Sequence, residues 1–137
     1  MPPLTRWFIR AALVYLVIAL LCGILLAGGS LWGWSLTGVF PVYVHLFVVG
    51  WLTLMIFGVA YWMFPKYSRD KPRASEGIGW AVFVLINFGL VLRAISEPLA
   101  GAASPPLWGW LLAVAALLQW LAGVLFVVNT WGRIKER

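Results

Sequence analysis

Four stretches of the chain, 7–27, 40–64, 78–95 and 107–131, are almost wholly apolar, and each is close to the length that crosses a bilayer. A helix needs about 20 such residues to span about 30 Å of hydrocarbon. Inside lipid the backbone has no water to bond to, so each stretch must pair its own N–H and C=O groups as a helix. None alternates apolar and polar residues as a barrel strand does. The expected fold is all-α: an integral membrane, antiparallel four-helix bundle forming a single domain over 1–137.

Composition removes the main competitors. Of the 137 residues, 64% are hydrophobic and 10% charged, and the mean hydropathy is +0.97. A soluble domain is nearer half apolar and a quarter charged. So small a body cannot hide that much apolar surface from water, which excludes a soluble enzyme and a disordered tail. The single cysteine, Cys22, excludes a disulfide scaffold. No phosphate-binding glycine loop, His-Glu-x-x-His pair or serine beside a base occurs in the sequence.

The linkers 28–38, 65–73 and 97–106 are short and carry glycine or proline, which end helices and make successive helices antiparallel. Arg6 and Arg10 precede the first helix. Lys66, Arg69, Lys71 and Arg73 follow the second, and Arg133, Lys135 and Arg137 follow the fourth. All nine fall on one side of an antiparallel bundle. The positive-inside rule makes that side cytoplasmic, with both termini inside a cytoplasmic (inner) membrane. Trp32, Trp34, Trp108 and Trp110 mark the outer interface, and Trp7, Trp62, Trp80 and Trp131 the inner one. The net charge of +6 therefore reads as topology and contact with anionic lipid, with no nucleic acid partner. The first stretch resembles a signal peptide at Arg6 and Arg10, but its apolar run is longer than usual, so it is expected to be retained.

Polar groups inside hydrocarbon are costly, which makes each a candidate for function. His45, the only histidine, lies in the outer third of the second helix, about 8 Å deep at 1.5 Å per residue. A neutral imidazole ligates haem iron, zinc or copper; equally, it bonds a neighbouring carbonyl or an interfacial water. Arg93, the tenth cation, lies about one turn inside the outer end of the third helix. It can fork onto an anion such as a haem propionate, or pair with Glu97 at i+4. Asn87 and Gln119, near the midplane of adjacent helices, are expected to bond each other as interhelical glue. Asp70, Glu76, Glu97 and Glu136 lie near or beyond helix ends, which leaves no chain of acids for a proton pump. Gly50, Gly58 and Ala60 on the second helix, and Gly109, Ala113, Ala116, Ala122 and Gly123 on the fourth, allow close helix packing. On the second helix the face with His45 carries Val49, Leu52, Thr53, Ile56, Ala60 and Met63. Zinc needs three or four protein ligands, so copper or zinc is disfavoured by a lone histidine unless several subunits pool theirs.

The run Val44-His45-Leu46-Phe47-Val48-Val49-Gly50-Trp51, continuing through 53–65 to Pro65, resembles the second helix of the catalytic subunit of haem-copper oxidases and nitric oxide reductases. There, too, a histidine near the outer end is followed by small and bulky apolar residues and a proline past the inner end. The resemblance implies that His45 is an axial ligand of a haem. It covers about 25 residues closely and the four-helix outline loosely. That family's subunit has three arcs of four helices and further histidines for a second haem and a copper ion. This chain has one arc and one histidine, so neither the copper site nor oxygen reduction carries over. A homotrimer would restore twelve helices from three arcs.

Two classes of function follow. One is a haem b protein, with His45 on the metal and Arg93 on a propionate, acting in electron transfer with a redox partner or in binding a small gas. The other is a cofactor-free membrane subunit or assembly factor that packs against partner helices. A transporter would more often show broken helices or internal repeats.

Overall fold

The computed structural model describes residues 1–64, 75–101 and 103–134. The cations expected at Lys66, Arg69, Lys71, Arg73, Lys135 and Arg137 lie outside the described residues. The elements are α1 (Pro3–Trp32), α2 (Val39–His45), a π-helical segment (Leu46–Thr53), α3 (Leu54–Met63), α4 (Glu76–Leu99) and α5 (Pro106–Trp131). No strand occurs among the described residues. The segments α2, π and α3 run on as one second span, Val39–Met63. With Pro3–Gly29, Glu76–Leu99 and Pro106–Trp131 they make four helices long and apolar enough to cross a membrane. The protein is a multi-pass, all-α, four-helix bundle.

The antiparallel arrangement is visible at both ends. Pro2, Leu4 and Thr5 meet Tyr61, Ser75, Trp80 and Asn129 at the end bearing the termini. At the opposite end Gly38 abuts Glu97 and Pro98. Backbone packing joins α1 to the second span, the second span to α4, and α4 to α5. The fourth span reaches the second through side chains: Phe57 and Phe126 stack with ring centroids 3.7 Å apart, and Tyr61 meets Phe126 edge-on. A core of Phe8, Ala12, Leu54, Tyr61, Val82, Ile86 and Ala122 fills the half of the bundle nearer the termini. Ala19, Val42, Leu46 and Leu90 fill the other half.

Three helix ends differ from the sequence expectation. The first helix continues past Gly28 and Gly29 to Trp32 and stops at Gly33, whose φ of 69° is left-handed, with Trp34 N–H bonded to the Gly29 carbonyl. Gly28 is not a breaker: the Trp32 indole lies over it where a side chain would sit. The third helix starts at Glu76, capped by the Ser75 hydroxyl on the Ile78 N–H, and includes Glu97 and Pro98, which the sequence reading assigned to a linker. Proline in the last turn removes one backbone donor without stopping the chain's helical path. The second span is not uniformly α. Over Leu46–Thr53 its bonds follow the i to i+5 pattern of a π-helix, and Thr53 Oγ1 donates to the Val48 carbonyl, five residues back, at 2.9 Å.

The π segment holds one of the close approaches of the bundle. A Cβ on Gly50 would lie 2.8 Å from Tyr15 Cβ on α1 and 2.9 Å from Leu90 Cδ2 on α4. Glycine there lets three helices converge, and van der Waals packing of this kind drives helix association in lipid. Asn87 does bridge helices, but not to Gln119. Its Oδ1 accepts from the Tyr15 hydroxyl on α1 at 2.9 Å, and its Nδ2 donates to the Phe83 carbonyl. Gln119 Nε2 is buried with no partner among the described residues.

Candidate functional site

Side chains on a helix lean toward its N-terminus. In an antiparallel pair, His45 on the second span therefore leans toward the end of the bundle that holds Gly38, and Glu97 on α4 leans back from that end. Gly38 sets how closely they converge. Its φ of 86° starts the second span, and its missing Cβ lets the backbone lie against Pro98, where an added Cβ would be 2.8 Å from Pro98 Cα.

His45 Nδ1 lies 2.8 Å from the Pro41 carbonyl oxygen and 3.1 Å from Glu97 Oε1. Arg93 Nε donates to the same Glu97 oxygen at 2.8 Å. The Pro41 carbonyl only accepts, so the hydrogen is on Nδ1 and is donated there. Nε2 is left with no protein partner among the described residues, and the imidazole side chain is 29% exposed. The Glu97 side chain is 8% exposed, and its second oxygen, Oε2, is buried without a hydrogen bond among the described residues.

Both plainer readings of the polar residues are thus realised: His45 bonds a carbonyl, and Arg93 pairs with Glu97 at i+4. Each leaves something over. His45 keeps Nε2, and the Nη groups of Arg93 carry no protein partner among the described residues. Below His45, Val48, Leu52 and Ile56 form an exposed apolar strip at four-residue spacing on the outside of the bundle. This strip shares Leu52 and Ile56 with the face expected from sequence. Ala60, expected on that face, is buried in the bundle instead.

Sequence reasoning placed His45 and Arg93 at similar depth but missed that Glu97 joins them. The signal was present: Glu97 is the one acid beside an outer helix end, four residues from Arg93. A second polar cluster lies at the opposite end. Arg133, which follows α5, is 2% exposed and donates to the Tyr61 and Phe64 carbonyls at 3.2 and 2.7 Å. Asn129 exchanges bonds with the Ser75 backbone there. Beside it, a cavity of about 40 Å³ is lined by Thr5, Tyr61, Ser75 and Asn129. No group of three or more His, Cys, Asp or Glu side chains able to hold a metal ion occurs among the described residues.

Fold and site together define a helical multi-pass membrane protein with one histidine–carboxylate–guanidinium cluster near one end of the bundle. Comparison with known proteins gives no matching family model, no matching curated protein and no matching solved structure.

Proposed function

We propose that the protein binds haem in a cytoplasmic membrane, with His45 as axial ligand of a haem b and both termini on the cytoplasmic side. The observation that carries this reading is the state of the imidazole: Nδ1 is held as a donor, and Nε2 is left for a ligand. Metal-ligating histidines are oriented in just this way, by a carbonyl or carboxylate on the other nitrogen. The residues fit the group. Val48, Leu52 and Ile56 offer an apolar strip for a flat ring, and the open Nη groups of Arg93 suit a propionate. Such a haem would supply a one-electron centre able to pass an electron or bind a small gas. The strip faces outward from the single bundle, so a ring lying on it needs a second chain to cover it. A homotrimer of three four-helix arcs supplies one. Arg6, Arg10 and Arg133 lie at the terminal end, and the positive-inside rule makes that end cytoplasmic.

The test is the visible spectrum of the detergent-solubilised protein, oxidised and dithionite-reduced, beside His45→Ala. A Soret band that shifts on reduction and is lost in the variant supports the ligand role. No Soret band in the wild type after expression with ample haem overturns it. A native mass of one or two chains in mild detergent would rule out the trimer.

A second reading, a cofactor-free subunit or assembly factor, is supported by the contact of Nδ1 with Glu97, which links the second span to α4 through protein atoms. It expects a colourless wild type and a His45→Ala variant that loses thermal stability only.

A further inference from the structure

We propose that the groove between α1 and α4, toward the terminal end of the bundle, binds one anionic phospholipid, with the phosphate on Arg10 and an acyl chain along Ala11, Val14 and Phe83. The proposal is independent of the haem reading.

The groove follows from how the helices pair. α1 packs on the second span and α4 on α5, so α1 and α4 lie side by side with little backbone contact. Between them is an open space of about 280 Å³, walled by Trp7, Ala11, Val14 and Phe83. Arg10 stands on its rim, and Tyr15 and Asn87 close its inner end. Trp7 and Val14 are exposed, so the groove opens on the outside of the bundle, toward lipid.

Charge chooses the headgroup. Arg10 lies three residues into the apolar run 7–27, is exposed, and has no hydrogen bond or ion pair among the described residues. A cation at that depth is costly unless it reaches the interface and meets an anion. Helix side chains lean toward the N-terminus, which carries the Arg10 guanidinium to the headgroup level. Arg6, also exposed, stands one turn nearer the surface on the same face. A guanidinium fork matches two phosphate oxygens, and no acid lines the groove to oppose an anion among the described residues.

The walls choose the rest of the molecule. Trp7 and Trp80 both meet Phe83 edge-on, with ring centroids 6.3 and 5.9 Å apart. Indoles favour the headgroup level, so the mouth of the groove sits where a lipid carries its phosphate. Deeper in, the Tyr15 hydroxyl donates to Asn87 Oδ1 at 2.9 Å, and Asn87 Nδ2 donates to the Phe83 carbonyl at 2.7 Å. Those polar atoms are paired within the protein, so the space below Arg10 takes a hydrocarbon chain. Basic pockets between membrane helices hold anionic headgroups in this way.

The experiment is native mass spectrometry of the full chain, delipidated in mild detergent and titrated with phosphatidylglycerol or phosphatidylcholine of identical acyl chains. The wild type is expected to retain one phosphatidylglycerol per chain, with about tenfold preference over phosphatidylcholine, the scale of one or two arginines beside a headgroup. Arg10→Gln should abolish that preference. Lys135→Gln, which changes the net charge equally, should keep it. Val14→Trp fills the groove while leaving both arginines in place, and should abolish the retained lipid. Arg10 and Val14 are exposed, so neither variant should shift the melting temperature of the lipid-free protein. Each tests the site alone if the other folds poorly.

Equal retention of the two lipids by the wild type would overturn the proposal and leave only an ordinary lipid annulus. Equal losses in Arg10→Gln and Lys135→Gln would overturn it in favour of attraction by net charge. Undiminished binding by Val14→Trp would overturn it by placing the lipid elsewhere.

Discussion

His45 Nδ1 on the second span lies 3.1 Å from Glu97 Oε1 on α4, the oxygen that accepts from Arg93 Nε. One atom thus joins two helices and closes an i, i+4 ion pair. The three side chains form a unit, and substitutions within it will not add.

Removing the guanidinium alone strands a largely buried carboxylate. Arg93→Leu is expected to cost about 2–4 kcal/mol, between a lost charged hydrogen bond and a broken buried pair. Removing both charges, as Arg93→Leu/Glu97→Leu, should recover most of that loss. Thermal denaturation in detergent reads the difference. A double variant no more stable than the single one would mean that Glu97 does not depend on Arg93.

Gly50 is the tightest contact of the π segment. Gly50→Ala forces its Cβ to within 2.8 Å of Tyr15 and 2.9 Å of Leu90, and overpacking of this kind costs about 1–3 kcal/mol. Gly109, where nothing lies within 4 Å of an added Cβ, should accept alanine without loss. Equal melting temperatures for the two variants would contradict the packing described.

Gln119 Nε2 is buried and unbonded among the described residues. Replacing it with leucine removes a donor whose burial costs about 1–3 kcal/mol. Gln119→Leu should therefore melt at or above the wild-type temperature. A clear drop would reveal a partner for Gln119 in the assembled protein.

Arg133 holds the end of the second span through the carbonyls of Tyr61 and Phe64. Arg133→Met keeps the length of the side chain and loses the charge-assisted bonds, each worth about 1.5–3 kcal/mol. Proteolysis should then cut first after residue 61, near the freed helix end, a pattern that limited digestion can read directly.

The spans were legible because bilayer thickness and backbone satisfaction leave few choices for long apolar runs. The ends were less so. Gly28 and Gly29 read as breakers, yet Trp32 and Trp34 pack across them and the helix runs on. The π segment left no mark in periodicity, because Leu46 to Thr53 is apolar all round and shows no face. The depth of His45 and Arg93 could be counted along their helices. Glu97 as their link could not, because that contact depends on how closely Gly38 lets α2 approach Pro98. The pairing of Asn87 with Tyr15 depends likewise on helix rotation, which an evenly apolar sequence does not encode.

The Arg133 bonds have a consequence for biosynthesis. The chain is made from its N-terminus, so Tyr61 and Phe64 are in place long before residue 133 exists. While three spans wait for the fourth, those carbonyls must be satisfied by water or lipid headgroups at the membrane surface. The second span enters the bilayer with that end open, and the guanidinium arrives as a latch. The fourth span thereby fastens the one that carries His45, from the end opposite the histidine.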